Sequence, residues 1–436
     1  MFAEALRPAN AAPARCDRDG LHFIKILVLC LFVAAAISRA VQRDFRQGFD
    51  EVAHVSYVAH LQQTGEASPD FAAMRLLDPE TFHFMDLPNY LNHPSPYYWL
   101  LARLGPKVEG NPRSLVILRL INIVIAASGF CALLMLSSGD KRSKIEEYAW
   151  YLPLLAIPML PSIAGAANND NPAFLGGALA LLASQRLLAT REGAWLIVAL
   201  AGLIVAGLAK LTGLLLVGGL IAGVLATMIS RGDCQPSWIG AAVIAALVAA
   251  SPYVALWVQY GGPAPDTPGQ IELLKSTAPP DLGWEHAPRL SFLGFAAKFA
   301  QAFFIHWVPT PRERNALQYA VLAAPVFAIF CAMAGAWISG RRLLRKRETP
   351  DDVLIVAGFA TLCVTLACHL VFSYRHHVAY AYLADAYPRY YLPLIGIVPL
   401  AGLSALSAMR ESRAKTILTA ILIGGPLAVS LFGIPI

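Results

Sequence analysis

Long apolar runs alternate with shorter polar connections along most of the chain. Eleven of these runs approach or exceed the roughly 20 residues that a helix needs to cross a hydrocarbon core about 30 Å thick. The pattern predicts an all-α polytopic membrane protein with about 11 transmembrane helices. The runs lie approximately at residues 21–40, 114–137, 146–163, 172–190, 194–209, 211–230, 237–259, 316–339, 353–373, 391–409 and 416–435.

The polar segments predict how the chain is organised. Residues 1–20 are expected to form a cytoplasmic tail, and residues 21–436 a single integral membrane domain. A cleavable signal peptide is the alternative interpretation of the first run, because small residues stand near its end.

Three short loops concentrate lysine and arginine. A cytoplasmic N-terminus places all three on the cytoplasmic side, as the positive-inside rule requires. They lie at residues 141–144, 341–347 and 410–415. This orientation puts two long polar loops and a shorter one on the outer face, which we expect to be the periplasmic face of a bacterial inner membrane. A rigid bundle can position residues for chemistry there. These loops lie at about residues 41–113, 260–315 and 374–390.

Composition supports the membrane assignment. The 436 residues are 57% hydrophobic and only 14% charged, which excludes an ordinary soluble domain. The net charge of +6 comes largely from the basic loops, so it indicates membrane lipids rather than nucleic acid as partners. The 7 cysteines form no CxxC pair, so neither a disulfide framework nor a thiolate metal site is predicted.

The first periplasmic loop carries the strongest candidate chemistry, in the stretch GFDEVAHVSY. Asp50 and Glu51 lie four and three positions before His54, so one helical face can hold a carboxylate beside an imidazole. Such a pair suits a general base that takes a proton from a hydroxyl group. The alternative is an acidic helix start, which the helix dipole favours.

Two helices are predicted within this loop. An amphipathic juxtamembrane helix is expected over residues 50–63, between Gly48 and Gly65. The aromatic-rich stretch NHPSPYYWLLARLG, at residues 92–105, is too short to span the membrane and predicts an interfacial segment.

A polar cluster interrupts the apolar sequence AGAANNDNPAF at residues 164–174. Asn-Pro is typical of a turn, so a tight hairpin between two spans is one interpretation. The other is that Asn169 and Asp170 bind sugar hydroxyls or place a carboxylate near the acceptor.

Two cations stand at the borders of apolar runs. Lys210, in GLAKLTGLLL, either snorkels to the membrane surface or pairs with an anion such as a lipid phosphate. Arg389, in YPRYYLPL, lies among tyrosines typical of an interfacial belt, and its planar group can bind phosphate through two N–H groups.

The histidines give a weaker signal. His93, before a proline, is more typical of a structural hydrogen bond than of a ligand or a catalyst. Histidines 54, 93, 376 and 377 share the periplasmic face and could hold a divalent ion, but their spacing matches no known zinc motif.

Taken in order, these stretches resemble the motifs of the GT-C membrane glycosyltransferases, which include the protein O-mannosyltransferases and the lipid A aminoarabinose transferases. FDEVAHVSYVAHLQQTG resembles their Asp-Glu loop, and NHPSPYYWLLARLG followed by LRLIN resembles their Pro-Pro-Tyr segment and arginine-bearing span. NNDNPAF, GLAKLTGLLL and YPRYYLPL are similar to their Asn-Asp, Lys and Arg-Tyr elements. The sequence His-Pro-Ser-Pro at residues 93–96 departs from the plain Pro-Pro pattern.

The resemblance implies a GT-C-type bundle that transfers a sugar from a polyprenyl-phosphate donor to a hydroxyl of a lipid, glycan or protein, with inversion. Asp50 would be the catalytic base with Glu51 beside it, and Lys210 and Arg389 would bind the donor phosphate. No obligatory cofactor is expected, and a divalent metal ion is an alternative. The residues expected to bind sugar or acceptor, or to support those that do, are His54, His93, Asn169, Asp170, Arg375 and Tyr387.

Three other functions fit the same span pattern. A secondary transporter would also have many spans, but its ionisable groups usually lie near the middle of the membrane. A polymerase or ligase of envelope polysaccharides would share the periplasmic site and need room for a longer glycan. A non-catalytic scaffold would leave the placement of the charges unexplained.

Overall fold

The computed structural model describes residues 16–136, 160–276, 282–305, 316–383 and 387–421. This part of the chain is almost entirely helical, with one two-stranded sheet of β1 (Arg75–Leu77) and β2 (Phe84–Pro88). The helices are α1 (Cys16–Gln42), α2 (Glu51–Thr64), α3 (Pro96–Leu104), α4 (Arg113–Leu134), α5 (Leu160–Ala164), α6 (Asp170–Thr190), α7 (Gly193–Ala209), α8 (Leu211–Ser230), α9 (Pro236–Tyr260), α10 (Pro268–Ser276), α11 (Gly283–His286), α12 (Phe292–Ile305), α13 (Ala316–Leu344), α14 (Pro350–Tyr380) and α15 (Ile397–Ala408). Short 3-10 helices form at Phe45–Gln47 and Pro388–Leu394.

Seven of the described helices are long and apolar enough to cross a membrane. The pair formed by Pro388–Leu394 and α15 bends by 68° and is either a broken eighth span or a re-entrant loop. Helix α7 coincides with another predicted run but is shorter. The predicted runs 146–163 and 416–435 extend into residues outside the described part, so the count of 11 is not confirmed. The multi-span helical architecture itself is as predicted.

Helix α6 lies at the centre of the bundle. It packs on α4, α7 and α8 and on the Pro388–Leu394 segment. Glycines allow this approach, because a Cβ at Gly176 would collide with the backbone of Gly202, and one at Gly177 would collide with the carbonyl of Pro393. The contact at Gly177 holds the segment that carries Arg389 against the helix that begins at Asp170.

The first loop folds into a compact layer over one end of the bundle. Helix α2 begins and ends within one residue of its predicted limits, and Gly65 closes it in the left-handed conformation (φ 72°). The helix is not amphipathic as predicted, because every residue from Ala53 to Leu61 is buried. Tyr98 of α3 stacks on Tyr57 with ring centroids 4.1 Å apart. The loop therefore has its own apolar core, which fixes the start of α2.

Helix α14 defines the two ends of the bundle. Its 31 residues span about 46 Å. Near its first turn, Asp352 forms an ion pair with Arg342 at 3.2 Å. Near its last turn, His376 hydrogen-bonds Asp266 at 2.9 Å. The residue before Asp266, Pro265, accepts a hydrogen bond from Asn92 of the first loop through its carbonyl. The first loop thus covers the end where α14 finishes, which we call the loop end, and Arg342 marks the arginine end.

Candidate active site

Asp50 stands at the N-cap position of α2 in the left-handed conformation, with φ 62° and ψ 20°. Aspartate is one of the few non-glycine residues that adopt this conformation readily. Its carboxylate makes no capping hydrogen bond to the helix. It forms an ion pair with Arg389 and accepts a hydrogen bond from the Tyr90 hydroxyl at 3.1 Å. The side chain is 35% exposed, so Asp50 is an accessible carboxylate rather than a helix cap.

The surroundings of Asp50 favour its charged form. Burial would raise the pKa of the carboxyl, but the Arg389 guanidinium, helped by His54 and by the Tyr90 hydroxyl, lowers it to about 2. Asp50 is therefore ionised at neutral pH, as a base must be. While Arg389 holds it, however, its affinity for a proton is low.

Asp170 and Lys210 form a second, fully buried pair. Asp170 begins α6, and Lys210 stands in extended backbone between α7 and α8. The Lys210 ammonium donates to Asp170 Oδ1 at 2.6 Å and lies 4.2 Å from the centre of the Tyr390 ring. Because both side chains are buried, Lys210 does not snorkel to the membrane surface.

Arg389 joins the two pairs. Besides its contact with Asp50, its Nε lies 4.0 Å from Asp170 Oδ2. Within the described residues, Arg389 Nε and Nη1 and Asp170 Oδ2 are buried without a hydrogen-bond partner. Buried polar atoms are seldom left unpaired, so these positions suit a bound ligand. The guanidinium is held between the rings of Phe49, Tyr387 and Tyr390 at 5.6, 5.1 and 5.5 Å.

The Asn/Asp cluster is buried rather than exposed at a hairpin tip. Asn169 donates to the carbonyl of Ala209 at 3.0 Å, while its Oδ1 has no partner within the described residues. Asn171 donates to Asn122 at 3.0 Å and to two backbone carbonyls. These amides lock the start of α6, and Asn169 leaves one acceptor oxygen available beside Asp170.

Glu51 is adjacent to Asp50 in the sequence, but its carboxylate has different partners. Both of its oxygens pair with Arg119 of α4, at 2.9 and 2.5 Å, and the Ala167 amide donates to one of them at 2.7 Å. Arg119 also donates to the carbonyls of Ala40 and Arg43 at the end of α1. Glu51 therefore ties three segments together directly beside Asp50. Arg119 is the arginine of the LRLIN motif, to which no role was assigned from the sequence, although a lone arginine inside an apolar run indicates a buried acidic partner.

His54 and His93 lie beneath Asp50 in a buried aromatic stack. Their ring centroids are 6.1 Å apart, and His54 Nδ1 hydrogen-bonds the Tyr98 hydroxyl at 2.8 Å. Burial lowers the pKa of His54 to about 4 and places that of His93 well below its ordinary value. Both imidazoles are therefore neutral at pH 7. The structure brings them next to Asp50 as uncharged supports of the loop.

Arg375 lies elsewhere at the loop end. It lines a cavity of about 790 Å³ together with Asp266, Tyr374, His376 and Trp257. Neither of the predicted donor-phosphate residues, Lys210 and Arg389, contributes to this lining. The structure therefore separates Arg375 from the cluster around Asp50.

The donor set does not fit a divalent metal ion. Within the described ranges, no group of three or more His, Cys, Asp or Glu side chains is arranged to hold one. The carboxylates of Asp50 and Asp170 are already paired with Arg389 and Lys210. Two neighbouring cations, one of which has N–H groups without a partner among the described residues, fit an anion such as a phosphate better than a cation.

The chain matches no protein family model and no curated protein. Solved structures are similar at low identity. The Archaeoglobus fulgidus oligosaccharyltransferase in its apo form has a TM-score of 0.47 and 14% identity over 92% of this chain and 55% of that chain. ArnT from Cupriavidus metallidurans has a TM-score of 0.45 and 16% identity in the apo state, over 90% of this chain and 61% of that chain. ArnT bound to undecaprenyl phosphate has a TM-score of 0.42 and 15% identity, over 88% and 60%. The chain thus spans 55–61% of the length of these structures.

Proposed function

We propose that the chain is a membrane glycosyltransferase that moves a sugar from a polyprenyl-phosphate donor to an acceptor hydroxyl, with inversion. The observation that carries this proposal is the position of Arg389 between Asp50 and Asp170, beside Lys210, with buried N–H groups that have no partner in the described part of the chain. A base next to two phosphate-binding cations is what such a transfer needs. The ordered motifs that resemble GT-C enzymes support the same conclusion.

In the proposed reaction, Asp50 accepts the proton of the acceptor hydroxyl as its oxygen bonds to the anomeric carbon. The bond between that carbon and the phosphate oxygen breaks, and the electron pair leaves with the polyprenyl phosphate. Lys210 and Arg389 stabilise the charge that develops on the phosphate, which is often the largest contribution to such catalysis. Because phosphate is a good leaving group, no acid is needed on the donor side.

The contact between Asp50 and Arg389 couples donor binding to the strength of the base. A phosphate that engages Arg389 weakens its interaction with Asp50. The pKa of Asp50 then rises from about 2, since Arg389 is the strongest influence that holds it down. Asp50 thus becomes a stronger base when the donor is in place.

The other predicted site residues hold the reacting groups or the substrates in place. Both oxygens of Glu51 are engaged by Arg119, so we assign Glu51 to fixing the start of α2 rather than to proton transfer. Asn169 has an acceptor oxygen that no described residue engages and that can take a sugar hydroxyl, and His54 and His93 support the acceptor side. We place the site at the periplasmic face of a bacterial inner membrane, with a cytoplasmic N-terminus.

A direct test uses the purified full chain with undecaprenyl phosphate and with radiolabelled polyprenyl-phosphate hexoses and pentoses. We expect saturable binding of undecaprenyl phosphate and release of it as label passes to a lipid, glycan or protein acceptor. Absence of both binding and transfer would overturn the proposal. Solute flux into liposomes without any sugar donor would instead establish the transporter alternative.

A further inference from the structure

A strongly basic cavity lies at the arginine end of the bundle, opposite Asp50. It has a volume of about 540 Å³ and lies where α13 and α15 finish. The lining residues are Ile338, Arg341, Arg342, Arg345, Arg347 and Ala408.

The end of α13 gathers these arginines. Arg341 and Arg345 are four residues apart, so they share one face. Lys346 follows in the left-handed conformation with φ 53°. The Lys346 amide then donates to the Leu343 carbonyl at 3.1 Å, and the Arg347 amide to the Arg342 carbonyl at 3.0 Å. This pair of bonds is a Schellman turn, and it folds Arg347 back toward the helix.

Nearby carboxylates leave most of this charge unbalanced. Arg342 pairs with Asp352, whose other oxygen caps α14 through Thr349. Glu348 pairs with Arg231 at 2.6 Å. Among the described residues, no carboxylate lies within ion-pair distance of the remaining three arginines of the cavity: Arg341, Arg345 and Arg347.

An apolar face of α13 leads from the cavity into the membrane-spanning part of the helix. Phe330, Met333, Trp337 and Leu344 are 63, 51, 70 and 86% exposed. Their spacing places them on one side of the helix, and Arg341 continues the same side. A cationic pocket at the end of a lipid-facing stripe is complementary to a phospholipid, in which a charged headgroup is attached to apolar chains.

We propose that this cavity binds the phosphate headgroup of an anionic membrane phospholipid, whose acyl chains lie along the exposed face of α13. Basic pockets between spans attract such headgroups, and each arginine near the surface strengthens the attraction. An arginine loop that only oriented the chain would need no common cavity. This binding site is independent of the reaction proposed at the loop end.

The test measures lipid binding to the delipidated full chain in detergent by native mass spectrometry. Phosphatidylglycerol, phosphatidylcholine and inorganic phosphate are the probes. The double variant Arg341→Gln/Arg345→Gln removes two exposed cavity arginines and leaves the Arg342 ion pair intact. The matched control, Arg410→Gln/Arg413→Gln, removes two exposed arginines that follow α15 but do not line the cavity.

We expect phosphatidylglycerol to bind more tightly than phosphatidylcholine, and the cavity variant to weaken its binding about tenfold. The control variant should bind phosphatidylglycerol as the unsubstituted chain does, and both variants should unfold at the same temperature. Equal loss in both variants, or no preference for the anionic lipid, would overturn the proposal. Displacement of the lipid by millimolar inorganic phosphate would also overturn it, because free phosphate would then be the ligand.

Discussion

Arg389 forms an ion pair with Asp50 across 339 positions of sequence. The pair joins the start of α2 in the first loop to the Pro388–Leu394 segment that precedes α15. Each partner also has a second polar neighbour: Tyr90 for Asp50 and Asp170 for Arg389. The accessible carboxylate and the partly unpaired guanidinium therefore occupy one continuous site.

Replacing Asp50 by asparagine should remove the base and keep the donor site. We expect transfer from a polyprenyl-phosphate sugar to fall about 10²–10⁴-fold, while undecaprenyl phosphate still binds. Scintillation counting of extracted product measures the first quantity, and ligand depletion measures the second. Asp86→Asn is the control, because Asp86 is an exposed carboxylate of the same loop. Full transfer activity in the Asp50→Asn protein would remove Asp50 from the proposed role.

Replacing Arg389 by lysine keeps the charge but loses the planar set of N–H donors. We expect the affinity for undecaprenyl phosphate to fall about tenfold, because one ammonium cannot reproduce two guanidinium contacts. Isothermal titration in detergent measures the change. Arg375→Lys serves as the comparison, since Arg375 lines a different cavity at the same end. If both variants lose affinity equally, Arg389 has no special part in phosphate binding.

Replacing Glu51 by glutamine should destabilise the protein more than it affects the chemistry. The change leaves Arg119 buried with no charged partner, which costs about 3–5 kcal/mol. The expected result is a lower unfolding temperature with near-normal transfer per folded molecule. The double variant Glu51→Leu/Arg119→Met should recover much of the stability, because an apolar pair can replace a buried ion pair. A catalytic role for Glu51 would instead show as lost activity at unchanged stability.

The buried histidines of the first loop should make the protein less stable in mild acid. Burial is the main cause that lowers the pKa of His54, to about 4. In the unfolded chain the pKa is about 6.5, so between these values the unfolded state binds more protons than the folded state. Stability is therefore complete above about pH 6.5 and falls as the pH drops toward 4, by up to about 1.4 kcal/mol per pH unit for one such group.

Unfolding temperature as a function of pH, measured by intrinsic fluorescence, checks this expectation. His54→Gln should flatten the curve, with part of the slope left because the pKa of His93 is also lowered. His83→Gln, at an exposed histidine, should leave the curve unchanged. An identical acid slope in the His54→Gln protein would contradict the prediction.

Adding a methyl group at Gly177 should disturb the site from a distance. A Cβ there would collide with the Pro393 carbonyl and push the Pro388–Leu394 segment away from α6. We expect Gly177→Ala to lower both the unfolding temperature and the affinity for undecaprenyl phosphate, since Arg389 moves with the segment. Gly402→Ala, where nothing lies within 4 Å of the new methyl group, should change neither. Normal affinity in Gly177→Ala would show that this contact does not position Arg389.

Sequence patterns identified the helical membrane architecture and the segments that meet at the loop end. Apolar runs and basic loops are continuous stretches of sequence, so the spans that they predict can be identified without knowing the tertiary structure. The pairing of Asp170 with Lys210 was not predictable, because it depends on how α6 packs against α7 and α8. Tyr90 carries no local signal at all. The burial of α2 on every side likewise follows from the rest of the first loop packing around it, which helical periodicity cannot reveal.

The contacts of Glu51 show which parts of the chain could change if the proposed activity diversified. Its partners are the Ala167 amide and Arg119 of α4, which also contacts the end of α1, and the supports of Asp50 within the first loop lie between residues 50 and 98. The cations that we propose to bind phosphate lie later in the chain, at Lys210 and Arg389. In the proposed reaction, proton removal and leaving-group stabilisation are therefore encoded in separate stretches, which meet where Arg389 contacts Asp50. Lineages could change the acceptor through substitutions in the first loop alone and inherit donor recognition intact.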